Sequence, residues 1–84
     1  MDLNLLDGVY SQNDALDLIT KLIHVKIQYH ENKIQNTQLE EDIKMRENRI
    51  IELQKELYDF RKTIHDKKNK IRLSAIINYN IHEN

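Results

Sequence analysis

Cysteine and proline are absent from this chain of 84 residues, and glycine occurs once. Without cysteine the chain has no disulfide framework, no thiolate zinc site and no thiol nucleophile. A single glycine cannot supply the glycine-rich loops that hold nucleotide phosphates. With so few helix breakers and 32% charged residues, the composition favours a helix-rich fold.

Long apolar runs are also absent, since the longest are pairs such as Leu5-Leu6 and Ile76-Ile77. A membrane-spanning helix needs about 20 consecutive apolar residues. The N-terminal residues lack the basic region and apolar stretch of a signal peptide. We therefore expect a cytoplasmic protein that forms a single domain over residues 1–84, because a chain of this length has room for one core.

The first strong pattern is amphipathic and predicts a helix over residues 12–35. Ser11, followed three residues later by Asp14, approximates a capping box at its start, and Asn13 is the alternative cap. Apolar side chains fill an arc of roughly 200° on the helical wheel, whereas a helix that packs on one neighbour shows a stripe of about 100°. This helix therefore needs at least two partners. The residues expected to form an interface between chains are Leu16, Ile19, Leu22, Ile23, Ile27 and Ile34.

A second helix is predicted over residues 37–66, where Thr37 and Glu40 form a capping box. Its apolar residues follow an a/d heptad in which Arg46 is the one polar d residue. The two helices are expected to form an antiparallel hairpin. Its core within the chain is expected to comprise Leu53, Leu57, Phe60 and Ile64. Because the same heptad extends backwards through Asn36, one unbroken helix in a parallel coiled coil is the alternative.

The two ends of the chain show other patterns. Residues 1–10 hold apolar side chains around Gly8, and we interpret them as a partly ordered arm with a turn or loose segment at this glycine. Over residues 71–81 the apolar period changes to two, which predicts a β-strand, with a continued helix as the alternative. A single strand needs a partner for its backbone groups. The candidates are the arm and the same strand of a second copy.

Residues that could carry chemistry are few. His30 and Glu31 begin like the zinc motif HExxH, but Ile34 occupies the second histidine position, so the motif fails. His24, Gln28 and Glu31 line up on the exposed side of the first helix, as polar residues do on any solvated face. We therefore predict no catalytic residue, no metal site and no cofactor, and we expect the chain not to be an enzyme.

Charge is spread unevenly, although the formal net charge is −1. The only strong charge feature is a basic block at residues 61–72. Clustered cations neutralise phosphates, so the block is the candidate nucleic-acid contact. It comprises Arg61, Lys62, Lys67, Lys68, Lys70 and Arg72. In the predicted hairpin Asp2, Asp7 and Asp14 lie alongside it, and this favours internal charge matching instead.

Together these patterns predict a mainly α-helical fold, in which a coiled-coil-like antiparallel hairpin is followed by a short C-terminal strand and assembles as a homo-oligomer, most simply a dimer. The expected function is a non-enzymatic, self-associating protein-interaction or adaptor module. Its partners are expected to be a second copy or another protein, and no membrane. A small nucleic-acid-associated regulator that uses the basic block is the alternative.

Overall fold

The computed structural model describes residues 1–65 and 70–83, which contain two helices and a two-stranded antiparallel sheet. In chain order the elements are strand β1 (Asp2–Tyr10), helix α1 (Gln12–Gln35), helix α2 (Glu40–Ile64) and strand β2 (Ile71–Asn78). The two helices follow one another and pack together. The strands come from opposite ends of the chain, and we call their two-stranded sheet the ribbon.

Helix α1 begins and ends where the amphipathic pattern predicts. Ser11 has an extended backbone, and its Oγ accepts a hydrogen bond from the Asp14 N–H at 3.1 Å. The predicted N-cap is therefore confirmed. At the other end, Asn36 Nδ2 donates to the carbonyl of Asn32 at 2.8 Å, which satisfies one of the last carbonyls of the helix.

Helix α2 begins three residues later than predicted. Its N-cap is Leu39, which offers no side-chain acceptor, and Thr37 Oγ1 accepts from the Leu39 N–H at 3.3 Å instead. The prediction of a helix start at Thr37 is wrong, because its hydroxyl closes a local turn before the helix. The interruption between Gln35 and Glu40 also means that the alternative of one unbroken helix is wrong.

The helices pack antiparallel along an apolar seam. Gln12, at the start of α1, donates Nε2 to the carbonyl of Ile64 at the end of α2. Late in α1, His30 Nδ1 lies 3.1 Å from Nη1 of Arg46, which is early in α2. The predicted core of α2 is confirmed, with three residues buried and the last one half-buried: Leu53, Leu57, Ile64 and Phe60.

Residues 1–10, interpreted from the sequence as a partly ordered arm, form strand β1 and pair with β2. The strand predicted at residues 71–81 is confirmed over Ile71–Asn78 and ends three residues earlier than predicted. Within the chain its partner is the N-terminal segment, one of the two candidates. Gly8 lies inside β1 opposite Leu73. The prediction of a turn or loose segment at Gly8 is therefore wrong.

A bulge in β1 explains why this strand was missed. The register shifts between Asn4 and Leu6, so Leu5 has no partner on β2. An extra residue changes which side chains share a face of the sheet. Leu3 and Leu6 therefore lie on the same face, and the period of two that marks a strand is lost in the sequence.

The molecule is long and flat, with extents of 47 × 30 × 14 Å. Its radius of gyration is 15.8 Å, against about 12 Å for a compact domain of this length. Its accessible surface is 7196 Å², which is roughly 1,900 Å² more than a compact monomer of this mass exposes. The chain therefore leaves more surface uncovered than a compact monomer of its mass does.

Candidate interaction surface

Exposed apolar side chains are concentrated on the ribbon and the residues next to it. Of the fifteen large apolar side chains exposed within residues 1–65 and 70–83, eight belong to this region. They are Met1, Leu3, Leu5, Val9, Ile76, Ile77, Tyr79 and Ile81. Since this region is much shorter than the two helices, the ribbon is the first candidate for an interaction surface.

One face of the ribbon is apolar along its whole length. Side chains alternate between the two faces of a sheet, and residues directly opposite each other share a face. With the observed register, the face that we call the apolar face carries Leu3, Leu6, Gly8, Tyr10, Ile71, Leu73, Ala75 and Ile77. The opposite face carries mostly polar residues, among them Asp7, Arg72 and Ser74.

The chain covers the apolar face at one end only. Leu6, Tyr10 and Leu73 are half-buried, whereas Leu3 and Ile77 are 52% and 44% exposed. Both strands contact α1, and neither contacts α2 within the part of the chain that the structure describes. The half of the apolar face next to the start of α1 is therefore partly buried, and we call it the near half. The far half, which holds Leu3 and Ile77, is exposed.

Among residues 1–65 and 70–83, nothing pairs with the outer edge of β2 in the two-stranded sheet. At the far end of the ribbon, Met1 and Tyr79 exchange two hydrogen bonds of 2.9 and 3.3 Å. In an antiparallel sheet such hydrogen-bonded pairs alternate with pairs that do not bond. The odd-numbered residues of β2 therefore bond to β1. The even-numbered ones direct their amides and carbonyls outward, and these are Arg72, Ser74, Ile76 and Asn78.

Helix α1 carries another exposed apolar surface, a stripe on the side of the helix away from the buried Ile27. It comprises Leu22, Val25 and Tyr29, which are 37%, 65% and 53% exposed. Their spacing of three and four residues puts them on one side of the helix. Val25 and Tyr29 were not selected as interface residues from the sequence, although the heptad that runs back into α1 includes both.

The structure divides the six residues that the sequence assigned to an interface between chains. Ile27 is buried within the chain, and Leu22 is the exposed member of the six. The other four are partly buried, namely Leu16, Ile19, Ile23 and Ile34. The role of these residues between chains stays a prediction.

A cluster of polar side chains lies at the end of the hairpin where α1 is connected to α2. Arg46 contacts His30 and also places Nε 3.4 Å from the carboxylate of Asp42. Because a guanidinium only donates, Nδ1 of His30 must accept. Burial, and then the positive charge of Arg46, lowers the pKa of His30. The polar d residue of the heptad, Arg46, thus lies against a histidine whose lowered pKa favours the neutral form.

A shallow groove of about 450 Å³ lies between the two helices. His24, Gln28 and Glu31 line it from α1, and Tyr58 and Arg61 line it from α2. Across residues 1–65 and 70–83, no three His, Cys, Asp or Glu side chains are grouped so that they could hold a metal ion. The described residues that line the groove are largely polar, and they do not include a cluster of metal ligands.

The charges of the basic block are partly matched within the chain. Arg72 Nη2 lies 2.7 Å from Oδ1 of Asp7 on the neighbouring strand. This contact confirms, for one pair, the predicted matching between the acidic N-terminal segment and the basic block. Lys62 Nζ lies 5.3 Å from the centre of the Tyr58 ring, within the range of a cation–π contact.

The remaining cations of the basic block are Arg61, Lys67, Lys68 and Lys70. Lys67 and Lys68 lie outside the described residues. Arg61 lines the groove between the helices, and Lys70 is exposed directly before β2. A nucleic-acid contact formed by these cations stays a prediction.

No family model, curated protein or solved structure matches this chain. None of the helices in the described ranges has the length and apolar content needed to cross a membrane. Function therefore has to be inferred from the surfaces of the chain itself.

Proposed function

We propose that this protein is a non-enzymatic interaction module of the cytoplasm that works as a homo-oligomer, most simply a dimer. The observation that carries the proposal is the accessible surface, which exceeds that of a compact monomer by roughly 1,900 Å². A standard protein interface removes about 800 Å² from each partner. The excess is therefore large enough for a dimer and leaves area for a further protein partner.

The distribution of the apolar surface supports the same proposal. Scattered apolar side chains are normal on a protein surface, whereas contiguous exposed apolar patches mark interaction sites. Leu3 and Ile77 are directly opposite each other on the uncovered half of the apolar face, and the Met1–Tyr79 pair continues it. The coiled-coil-like helical hairpin then serves as the rigid part that holds this patch and the exposed stripe of α1.

The chemistry of the polar residues supports a role without catalysis. An acid–base catalyst needs a titratable group that is placed to exchange protons with a substrate. The imidazole of His30 is instead engaged with Arg46, whose guanidinium also pairs with Asp42. We therefore assign this cluster to the packing of the hairpin.

Sedimentation equilibrium over a wide range of protein concentrations tests the proposal. The monomer has a mass of 10.1 kDa. We expect the weight-average mass to rise with concentration towards twice this value, because apolar surface is removed from water in the dimer. A mass that stays at that of the monomer at every concentration would contradict self-association.

A further inference from the structure

We infer that a second copy of this chain pairs with the free edge of β2, so that two ribbons join into one four-stranded antiparallel sheet. The inference rests on the self-association proposed above and names the surface that carries it. That surface consists of the outward backbone groups of β2 together with the far half of the apolar face.

The two edges of the ribbon differ in their ability to accept another strand. The edge of β1 is interrupted by the bulge at Leu5 and carries the acidic residues Asp2 and Asp7. Bulges and charges are the features by which natural sheets protect their edges from further pairing. Strand β2 has no bulge and no proline, and Arg72 is its only charged residue. The edge of β2 is therefore the better template.

A second copy of β2 is a suitable occupant of this edge because its charges do not clash. Two identical strands pair antiparallel around a two-fold axis. When the axis lies at Ser74 or Ala75, Arg72 of one copy lies opposite Ile76 or Asn78 of the other. The two arginines are then apart, and each keeps its ion pair with Asp7.

The same pairing brings a second copy next to the far half of the apolar face. A two-fold axis normal to the sheet leaves the apolar faces of both ribbons on the same side. Because the strands run in opposite directions, the far end of one ribbon lies beside the near end of the other, where α1 packs. The start of helix α1 of the second copy is thereby brought next to the exposed end of the first ribbon, where Leu3 and Ile77 lie.

The variant Ser74→Pro tests the inference, with Ser74→Ala as its matched control. The Ser74 amide points outward, so proline removes a donor to the second copy and leaves the hydrogen bonds to β1 in place. The change occurs twice in a symmetric dimer. We expect Ser74→Pro to raise the dimer dissociation constant on the order of tenfold or more, and Ser74→Ala to leave it close to that of the wild type.

Amide hydrogen exchange of the wild-type protein gives a second readout. The amides of Arg72, Ile76 and Asn78 should become more protected as the protein concentration rises, because they are bonded only in the dimer. This readout decides the question if Ser74→Pro does not fold, which far-UV circular dichroism would reveal.

The two proposals fail in different ways. A wild-type protein that is monomeric at every concentration would overturn self-association itself. A wild-type dimer whose outward β2 amides exchange freely, or one that Ser74→Pro does not weaken, would overturn the strand pairing and leave self-association standing. In that case the exposed stripe of α1 would be the surface that joins the chains.

Discussion

The helical hairpin and the ribbon reach stability in different ways. In α2, Leu53, Leu57 and Ile64 are buried by the chain itself, whereas every described side chain of β1 and β2 is exposed or half-buried. The ribbon is held mainly by backbone hydrogen bonds, and an isolated two-stranded sheet is marginally stable in water. The hairpin therefore has a buried core of its own, whereas the ribbon depends on α1 and, as we propose, on a second chain.

The largest expected effect tests the packing of the hairpin. Leu53 is 3% exposed, so Leu53→Ala leaves a cavity and should lower the free energy of unfolding by about 2–5 kcal/mol. Ile51 is 61% exposed, and the control Ile51→Ala should change it by less than about 0.5 kcal/mol. Urea unfolding at one fixed protein concentration measures both. Equal losses in the two variants would contradict the assignment of the core.

The next effect tests the dependence of the ribbon on a second chain. Ile77 lies on the apolar face and Ile76 on the opposite one. Full burial of an isoleucine contributes about 1.5–3 kcal/mol, and Ile77 is 44% exposed in each of the two copies, so Ile77→Ser should weaken self-association by about 10-fold to 100-fold. The matched variant Ile76→Ser should have a much smaller effect. Sedimentation equilibrium compares the two, and equal weakening would show that the apolar face has no special role.

A smaller loss of folding stability is expected from removing the helix cap at Ser11, where the ribbon joins the hairpin. Ser11 Oγ accepts from the Asp14 N–H, and Ser11→Ala should lower the free energy of unfolding by about 1 kcal/mol. Thr37 does not cap α2, so the control Thr37→Ala should cost less than about 0.5 kcal/mol. Thermal unfolding of both variants provides the measurement. A larger loss from Thr37→Ala would reverse the two cap assignments.

The smallest effect concerns pH and should be confined to the hairpin. Burial and the charges of Arg46, Lys26 and Arg49 lower the pKa of His30 in the folded chain. The carboxylate of Asp42 is the acidic group in this cluster, and it pairs with Arg46. The unfolded chain therefore binds a proton more readily. Stability should be complete above the ordinary histidine pKa of 6.5 and should fall as the pH drops below it.

The variant His30→Gln isolates this contribution, since the glutamine side chain keeps an acceptor for Arg46 but does not titrate. The free energy of unfolding should fall less between neutral pH and about pH 5 in this variant than in the wild type. Denaturant unfolding at each pH gives both curves. Parallel curves for the two proteins would assign the pH dependence to other groups.

Local signals made part of the fold predictable from the sequence. The cap at Ser11 and the apolar arc defined α1, and the period of two defined β2. The start of α2 was misplaced because Thr37 matches a capping box and a threonine hydroxyl can equally close a turn. Strand β1 was missed because the bulge at Leu5 shifts its pattern by one residue.

The candidate site was harder to predict, because it depends on how α1 is oriented. An apolar arc of roughly 200° contains two stripes of helical spacing, and either one can face α2. In the structure Ile27 is buried, while Val25 and Tyr29 remain exposed. The choice between the stripes depends on the path of residues 36–39, and no local pattern in that segment specifies it.

The pairing of the first strand with the last has a consequence for synthesis on the ribosome. Residues 11–70 must be made before β2 can begin, so β1 stays without its partner while both helices are synthesised. Closing a long loop has an entropic cost and slows folding. Joining of the helices reduces that cost by bringing Gln12 within hydrogen-bonding distance of His65. Rapid helix docking therefore shortens the time in which the apolar side chains of an unpaired β1 can associate wrongly.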